Sequence, residues 1–297
     1  MAKINVPRRR FIKGTLASGV VLSSMPLLGF QNFLSNETQM KLGLVTYLWA
    51  KDWTVEEIID NCEKSGIQGV ELRSTHAHGV ELSLSKKERL KVKNRFKNSG
   101  VTLVGIGSAE EFDQKDPILL SSAIKNTKEF IKLSHDVGGS GVKVRPNHLH
   151  DDVPHEQTIE QIGKALNEVA RYGADYGQEI RVEVHGKGTQ NPEIMKRIMD
   201  VAHHPNVSVC WNCNQEDLDG KGFGHNFDLL KDRLGRTTHI RELNSTDYPY
   251  DKLLDELVEI NYDGWLLLEC RTAPADTLKA MTDQKRLFDE MIRKRSK

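Results

Sequence analysis

The feature that most constrains this chain is a regular alternation of short β-branched runs with longer amphipathic segments, which begins at Met40. Runs of the first kind favour strands, and apolar residues spaced by three and four favour helices. We predict strands at residues 41–49, 67–74, 101–107, 141–147, 179–186, 207–213, 238–243 and 264–270. Because a helical segment follows each strand, the pattern predicts an α/β fold, a (β/α)8 TIM barrel, at residues 36–297.

Three of the predicted helices begin with recognisable signals. Thr54 with Glu57 and Ser85 with Glu88 have the spacing of a capping box, in which each side chain binds the other residue's backbone N–H. Pro192 stands where the first turn of a later helix begins, a position that proline favours. These signals support the alternation on which the barrel prediction rests.

A doubly wound sheet is the competing fold for such an alternation. That fold usually carries a glycine-rich phosphate-binding loop after its first strand. Here the first strand ends in YLWAKDW, residues 47–53, and lacks that loop. The barrel is therefore the preferred interpretation.

Residues 1–35 are predicted to be an export signal and linker. A basic stretch, MAKINVPRRRFIK, precedes the weakly apolar GTLASGVVLSSMPLLGF, as in secretory signals. Arg8 and Arg9, followed by Arg-Phe-Ile-Lys, resemble the twin-arginine signal of bacteria, which carries folded proteins. We therefore expect a periplasmic protein with no stable membrane span after signal removal. A disordered basic tail is the alternative.

Charge bears on the choice of partners. The 42 Lys and Arg residues balance the 42 Asp and Glu residues, so the formal net charge is zero. Proteins that bind nucleic acid usually have a basic excess or a basic face. We expect no nucleic-acid partner, and the sequence is compatible with a homo-oligomer.

Polar residues spaced by two recur near the ends of six predicted strands. Residues i and i+2 of a strand share one face, and active sites of barrels lie at the carboxyl ends of the strands. A single such pair could be a surface ion pair, but six at corresponding ends predict a functional rim. The groups are Glu71 and Arg73; Lys143 and Arg145; Arg181, Glu183 and His185; Asn212 and Asn214; His239 and Arg241; Glu269 and Arg271.

The segment VCWNC at residues 209–213 at first suggests a redox or zinc motif. Cys210 and Cys213 are three apart on a predicted strand, so they face opposite sides. We predict that they neither form a disulfide nor bind zinc together, and that both are packing residues.

The segments RVEVHG, VCWNCN, THIREL and GWLLLEC resemble motifs of the xylose-isomerase-like sugar phosphate isomerase/epimerase barrels. In that family, strands five to eight supply Glu, Asp, His and Glu to one divalent metal ion. The resemblance implies that Glu183, His239 and Glu269 are ligands, with Asn212 at the aspartate position. The implied cofactor is one divalent cation, namely Mn²⁺, Co²⁺, Zn²⁺ or Mg²⁺. The alternative is that Asn212 only forms hydrogen bonds and that the metal is weak or lost.

The resemblance implies a metal-dependent isomerase or epimerase of a sugar or keto-sugar that works through an enediolate. Glu183 and Glu269 are the expected catalytic residues, because either can move a proton beside the metal. Export favours unphosphorylated substrates. The main alternative is a lyase or dehydratase, acting by elimination or hydration on a keto-sugar or keto-glycoside. An endonuclease IV-like nuclease and a non-catalytic sugar-binding barrel are remote alternatives.

The rest of the rim is predicted to bind the substrate. His185 is expected to contact the sugar rather than the metal. The aromatic residues Tyr47, Trp49 and Trp211 either stack on the sugar or pack in the core. The predicted substrate-binding residues are Glu71, Arg73, His76, Lys143, Arg145, His185, Asn214, Arg241 and Arg271.

Overall fold

The computed structural model describes residues 39–295, so the predicted export signal at residues 1–35 lies outside the described residues. Eight parallel strands form a closed barrel in which β1 pairs with both β2 and β8. The strands are β1 Lys41–Val45, β2 Gly69–Arg73, β3 Thr102–Glu111, β4 Gly141–Arg145, β5 Glu179–Glu183, β6 Val207–Trp211, β7 Leu234–Ile240 and β8 Trp265–Leu268. This arrangement confirms the (β/α)8 prediction.

A helix follows each strand, and two short 3-10 helices, Gln215–Leu218 and Lys231–Arg233, lie between β6 and β7. No helix within residues 39–295 is long and apolar enough to cross a bilayer. The α-helices are α1 Val55–Ser65, α2 Lys86–Lys97, α3 Pro117–Val137, α4 His155–Asp175, α5 Pro192–Val201, α6 Phe223–Asp228, α7 Tyr250–Glu259 and α8 Thr277–Arg295.

The helix-start signals are confirmed. In both capping boxes the glutamate accepts the cap backbone N–H at 2.8 Å, Glu57 from Thr54 and Glu88 from Ser85. Pro192 is the first residue of α5. These caps satisfy N–H groups that an uncapped helix end leaves without a partner.

Several strand ends differ from the prediction. The first strand stops at Val45 rather than at residue 49, and β6 stops at Trp211. Cys213 has a φ of 48°, which turns the chain out of the sheet direction. The third strand instead runs on to Glu111. The ends of the hydrophobic runs therefore do not fix the ends of the strands, which fall short in β1 and β6 and extend through polar residues in β3.

The prediction that Cys210 and Cys213 form no disulfide is confirmed. Cys62, Cys210, Cys213 and Cys270 are all free and buried. Among the described residues, no cluster that contains cysteine has the geometry of a metal site. The pair in VCWNC is therefore part of the packing.

A buried arginine closes the amino-terminal end of the barrel interior. Arg181 is completely buried and donates to Glu179 at 2.7 Å, to Val104 O at 3.1 Å and to Ser140 Oγ at 2.8 Å. Gly105 and Gly141 make room for it, since a Cβ at either position would lie within 2.8 Å of its guanidinium. Each of the three guanidinium nitrogens thus has a hydrogen-bond partner, and the Glu179 carboxylate balances the buried charge.

Candidate metal centre and active site

Three of the predicted metal ligands meet inside the carboxyl-terminal end of the barrel. Glu183 ends β5, His239 lies in β7, and Glu269 follows β8. All three are buried, and each offers a ligand atom within 4.8 Å of the others. His239 Nδ1 lies 3.9 Å from Glu183 Oε1 and 3.9 Å from Glu269 Oε2. One imidazole nitrogen therefore faces two carboxylates, an arrangement that suits a divalent cation.

Asn212 offers a fourth oxygen at the same place. Its side chain lines the cavity that Glu183 and Glu269 also line, and only 1% of the residue is exposed. Its amide nitrogen donates to Val184 O at 3.3 Å, but Oδ1 has no hydrogen-bond partner among the described residues. A buried carbonyl without a partner costs roughly 1–3 kcal/mol, and a cation would remove that cost. The donor set thus fits a metal ion.

Glu71 lies behind His239 rather than at the rim. It is completely buried, and its Oε1 is 3.2 Å from His239 Nε2. A carboxylate beside the outer nitrogen of a ligating histidine fixes the ring and its tautomer, leaving Nδ1 for the metal. Burial raises the pKa of Glu71, but His239, Lys143 and Arg181 lower it by more, so the carboxylate is ionised. Glu71, predicted to contact the substrate, thus lies beside His239 and does not line the cavity described below.

Two cations contact the candidate ligands. Lys143 Nζ is 2.6 Å from Glu183 Oε2, and Arg241 donates to Glu269 Oε2 at 3.2 Å. Arg241 also donates to the backbone carbonyl of Asn212 at 3.3 Å. Burial raises the pKa of Glu183, yet Lys143 and His239 outweigh burial and hold that pKa well below its ordinary value. Glu183 is thus kept in the charged form that binds cations.

A cavity of about 70 Å³ lies over these residues, and we call it the central cavity. It has four basic side chains and two carboxylates, so its lining carries a positive excess. Arg73 stacks on Tyr47, with its guanidinium carbon 4.9 Å from the ring centre. The lining consists of Tyr47, Arg73, Lys143, Arg145, Glu183, His185, Asn212, Glu269 and Arg271.

Most of the predicted substrate-binding residues line a cavity, but some do not. Arg241 lines a larger neighbouring cavity, and Arg271 lines both. His76 and Asn214 line neither of these two cavities. The Asn214 amide instead donates to Val184 O, and its backbone N–H donates to Asp217 at 2.9 Å. The predicted substrate-binding residues that line the central cavity are Arg73, Lys143, Arg145, His185 and Arg271.

The support for His185 was missed from the sequence. Its Nδ1 is 2.9 Å from Asn147 Oδ1, and its backbone carbonyl accepts from Thr189 at 2.6 Å. Asn147 has a φ of 121°, a conformation rarely adopted outside glycine. The Pro-Asn pair that follows β4 is a weak sequence signal for such a turn.

A second network outside the barrel interior was also missed. The Tyr248 hydroxyl donates to Asp217 at 2.7 Å and accepts from Trp211 Nε1 at 2.9 Å. Burial raises the pKa of Asp217 to about 7, even though hydrogen bonds from Tyr248 and Asn214 oppose the shift. Trp211 is fully buried here, which supports its interpretation as a core residue.

The family profile of the xylose isomerase-like TIM barrel matches residues 59–291. This match covers most of the chain, and the chain therefore belongs to that family. A search of proteins with curated functions found no significant match in sequence.

Solved structures share the fold at low sequence identity. The 3-keto-D-glucoside 4-epimerase YcjR from E. coli is 14% identical with a TM-score of 0.70, over 84% of this chain and 99% of that one. An L-ribulose 3-epimerase is 14% identical with a TM-score of 0.72, over 86% and 95%. The IOLI protein with a bound zinc atom is 16% identical with a TM-score of 0.72, over 86% and 99%.

Proposed function

We propose that this protein is a metal-dependent enzyme that isomerises or epimerises a keto-sugar. The observation that carries the proposal is the convergence of Glu183, His239 Nδ1 and Glu269 with the unpartnered Oδ1 of Asn212. Fold relatives named as epimerases of ribulose and of a keto-glucoside support the substrate class. The cation belongs to the set Mn²⁺, Co²⁺, Zn²⁺ and Mg²⁺.

The ligand residues have distinct tasks in this proposal. Glu183, Asn212, His239 and Glu269 hold the ion, and Glu71 keeps the His239 ring in place. When bound, a divalent ion acts as a Lewis acid that polarises a carbonyl group. Glu183 and Glu269 are the proposed groups that remove a proton from the carbon beside the carbonyl and return one.

The basic lining stabilises the charge that develops during this transfer. Negative charge accumulates on the substrate oxygen as the proton leaves carbon. Lys143, Arg73 and Arg271 line the central cavity, where Lys143 is paired with Glu183 and Arg73 stacks on Tyr47. Charges oriented before the reaction stabilise a transition state without the cost of reorganisation. Return of the proton to the other face gives epimerisation, and its return to a neighbouring atom gives isomerisation.

A carbon–oxygen lyase is the second candidate. Proton removal beside a carbonyl also permits loss of an oxygen substituent from the next carbon. The observation that favours this outcome is the larger cavity beside the centre, where a leaving group would fit. Product analysis by NMR separates the candidates, because a lyase releases the substituent and forms a double bond, whereas an epimerase only inverts a stereocentre.

Calorimetry on metal-free protein tests the ligand set. We expect Glu269→Gln and His239→Ala to lower the affinity for Mn²⁺ or Zn²⁺ by more than about tenfold and to abolish turnover. Far-ultraviolet circular dichroism of both variants should match the parent. As a control, Glu259→Gln on the exposed end of α7 should bind the ion as the parent does. Parent-like affinity in the two site variants would refute the ligand assignment.

Solvent exchange tests the chemistry. The metal-loaded protein in D2O should incorporate deuterium beside the carbonyl of a keto-sugar, and Glu269→Gln should not. Fructose and methyl 3-keto-glucoside provide two carbonyl positions to probe. A protein that binds metal but exchanges no proton from either sugar would favour the non-catalytic alternative.

We also propose export through the twin-arginine route to the periplasm. The support is the sequence pattern around Arg8 and Arg9 alone. Replacing both arginines with lysine should retain the protein in the cytoplasm in cell fractionation. A periplasmic double variant would refute this route.

A further inference from the structure

A second, much larger cavity adjoins the metal centre, and we call it the outer cavity. Its volume is about 620 Å³, against about 70 Å³ for the central cavity. Segments that follow β6, β7 and β8 line it, together with α8 and the loop after β1. Cavities of this size hold whole small-molecule ligands.

Two arginines connect the outer cavity with the metal centre. Arg271 lines both cavities. Arg241 lines the outer cavity, while its guanidinium contacts Glu269 Oε2 at 3.2 Å and Asn212 O at 3.3 Å. A molecule whose reacting part lies in the central cavity would therefore extend past these arginines into the outer cavity.

The lining of the outer cavity favours a neutral ring rich in hydroxyl groups. Trp49 and Tyr248 provide aromatic surface, and Gln215, Ser245 and Asp283 provide donors and acceptors. Aromatic surface beside polar groups suits a sugar, which has apolar C–H faces and hydroxyl edges.

The charges of the outer cavity argue against a phosphate. Arg241 is already engaged by Glu269, and acidic side chains at Glu242 and Asp247 offset the two arginines. Asp283 is paired with Lys279 at 2.6 Å. Glu242 accepts hydrogen bonds from the backbone N–H groups of Arg271 and Thr272, so it holds the wall in place. The balance of charges leaves no excess of positive charge for an anion.

We infer that the substrate is a keto-glycoside whose reacting carbonyl lies in the central cavity and whose second sugar unit occupies the outer cavity. This inference rests on the proposed function. It predicts that a two-sugar ketose binds more tightly than the matching one-sugar ketose, because only the former fills the outer cavity.

Calorimetry on the metal-loaded protein tests this with two matched pairs. The first pair is methyl 3-keto-glucoside and 3-keto-cellobiose, and the second is fructose and isomaltulose. We expect the two-sugar member of at least one pair to bind about tenfold more tightly or better. Ala280→Trp places an indole from α8 in the outer cavity and should bring that affinity ratio close to one.

A matched control and a second variant protect the test against misfolding. Ala174→Trp puts the same side chain on an exposed position of α4 and should keep the parent ratio. Asp283→Ala removes a polar group of the outer cavity with little change in volume and should lower the ratio severalfold. If Ala280→Trp does not fold, the ratio of two-sugar to one-sugar affinity in Asp283→Ala tests the inference.

The outcomes separate this inference from the proposed function. Binding of a one-sugar ketose without any gain from the second sugar would overturn the inference alone. A gain that survives both Ala280→Trp and Asp283→Ala would also overturn it. Failure to bind either member of both pairs would contradict the proposed function and the inference together.

Discussion

The two faces of the barrel sheet have opposite characters. The outer face, packed against the helices, carries apolar side chains such as Leu42, Val182 and Leu268. At its carboxyl-terminal end the inner face carries charged or ionisable ones, including Lys143 and His239, which are also buried. Both faces belong to the same strands, because successive side chains point to opposite sides. The outer face therefore provides most of the stability, and the inner face can be reserved for chemistry.

The largest expected effect comes from breaking the outer face. Leu166 of α4 is fully buried against the sheet, and Leu166→Ala should cost about 2–5 kcal/mol of unfolding free energy. Urea unfolding of the metal-free protein measures this loss. Leu90→Ala at an exposed position of α2 is the matched control and should change stability by about 0.5 kcal/mol or less. Equal effects at the two sites would contradict the packing described for the outer face.

Asp217 carries a buried carboxyl among the mostly apolar side chains outside the barrel interior, so it tests the contrast between the two faces. In the folded protein the pKa of the Asp217 carboxyl is about 7, whereas its ordinary value is 3.8. Stability contributed by this group is therefore present below about pH 4 and is lost as the pH rises towards 7.

Asp217→Asn should remove that loss while keeping an acceptor for Tyr248. The free energy of unfolding of the variant minus that of the parent should rise on the order of 2–4 kcal/mol between pH 4 and pH 7. Thermal unfolding of metal-free samples across this range measures the difference. The exposed Asp175→Asn serves as the control. A difference independent of pH would show that Asp217 is ionised throughout.

The next prediction concerns Glu71, which lies on the inner face beside His239. Glu71→Gln removes the carboxylate beside His239 Nε2 and leaves all four predicted ligand residues unsubstituted. Loss of such an outer contact typically costs about 10–100-fold in metal affinity. Competition with a fluorescent chelator measures the affinity, and Glu259→Gln is again the control. An unchanged affinity would mean that Glu71 does not orient the histidine.

The smallest effect concerns the charge of the centre. Asn212→Asp adds a carboxylate where Oδ1 has no partner, so we expect metal binding to tighten by about tenfold. Turnover should fall, because a more neutralised ion is a weaker Lewis acid. Calorimetry and the deuterium-exchange rate report the two changes separately. Weaker binding by Asn212→Asp would exclude residue 212 from the ligand set.

The fold could be predicted because its signal repeats eight times along the chain. The shared face of Glu183, His239 and Glu269 was also predictable from the period of two, and these three residues do converge. The period failed for Asn214, because β6 ends at Trp211 and Cys213 turns the chain. Depth along the barrel was not predictable. Glu71 shares a face with Arg73 but lies one step deeper, where it meets His239 instead of the cavity.

Features built from several loops could not be predicted from the sequence. The hydrogen bonds among Trp211, Asp217 and Tyr248 join residues as many as 37 positions apart. The outer cavity likewise requires α8 to face the ends of β7 and β8. Neither arises from a local pattern, because each depends on how loops pack after the barrel has closed. Residue types alone could indicate the polar rim at the strand ends, but they could not predict the outer cavity beside it.

Arg181 has a consequence for the proposed metal-dependent enzyme. By filling the amino-terminal end of the barrel, its guanidinium leaves the carboxyl-terminal mouth as the route to the centre. In that proposal the ion and the sugar share one passage, so the ion would enter first and a bound sugar would block its return. Inactivation by a chelator should slow as sugar concentration rises. In surroundings poor in metal, the lifetime of the active form would be set by the supply of substrate.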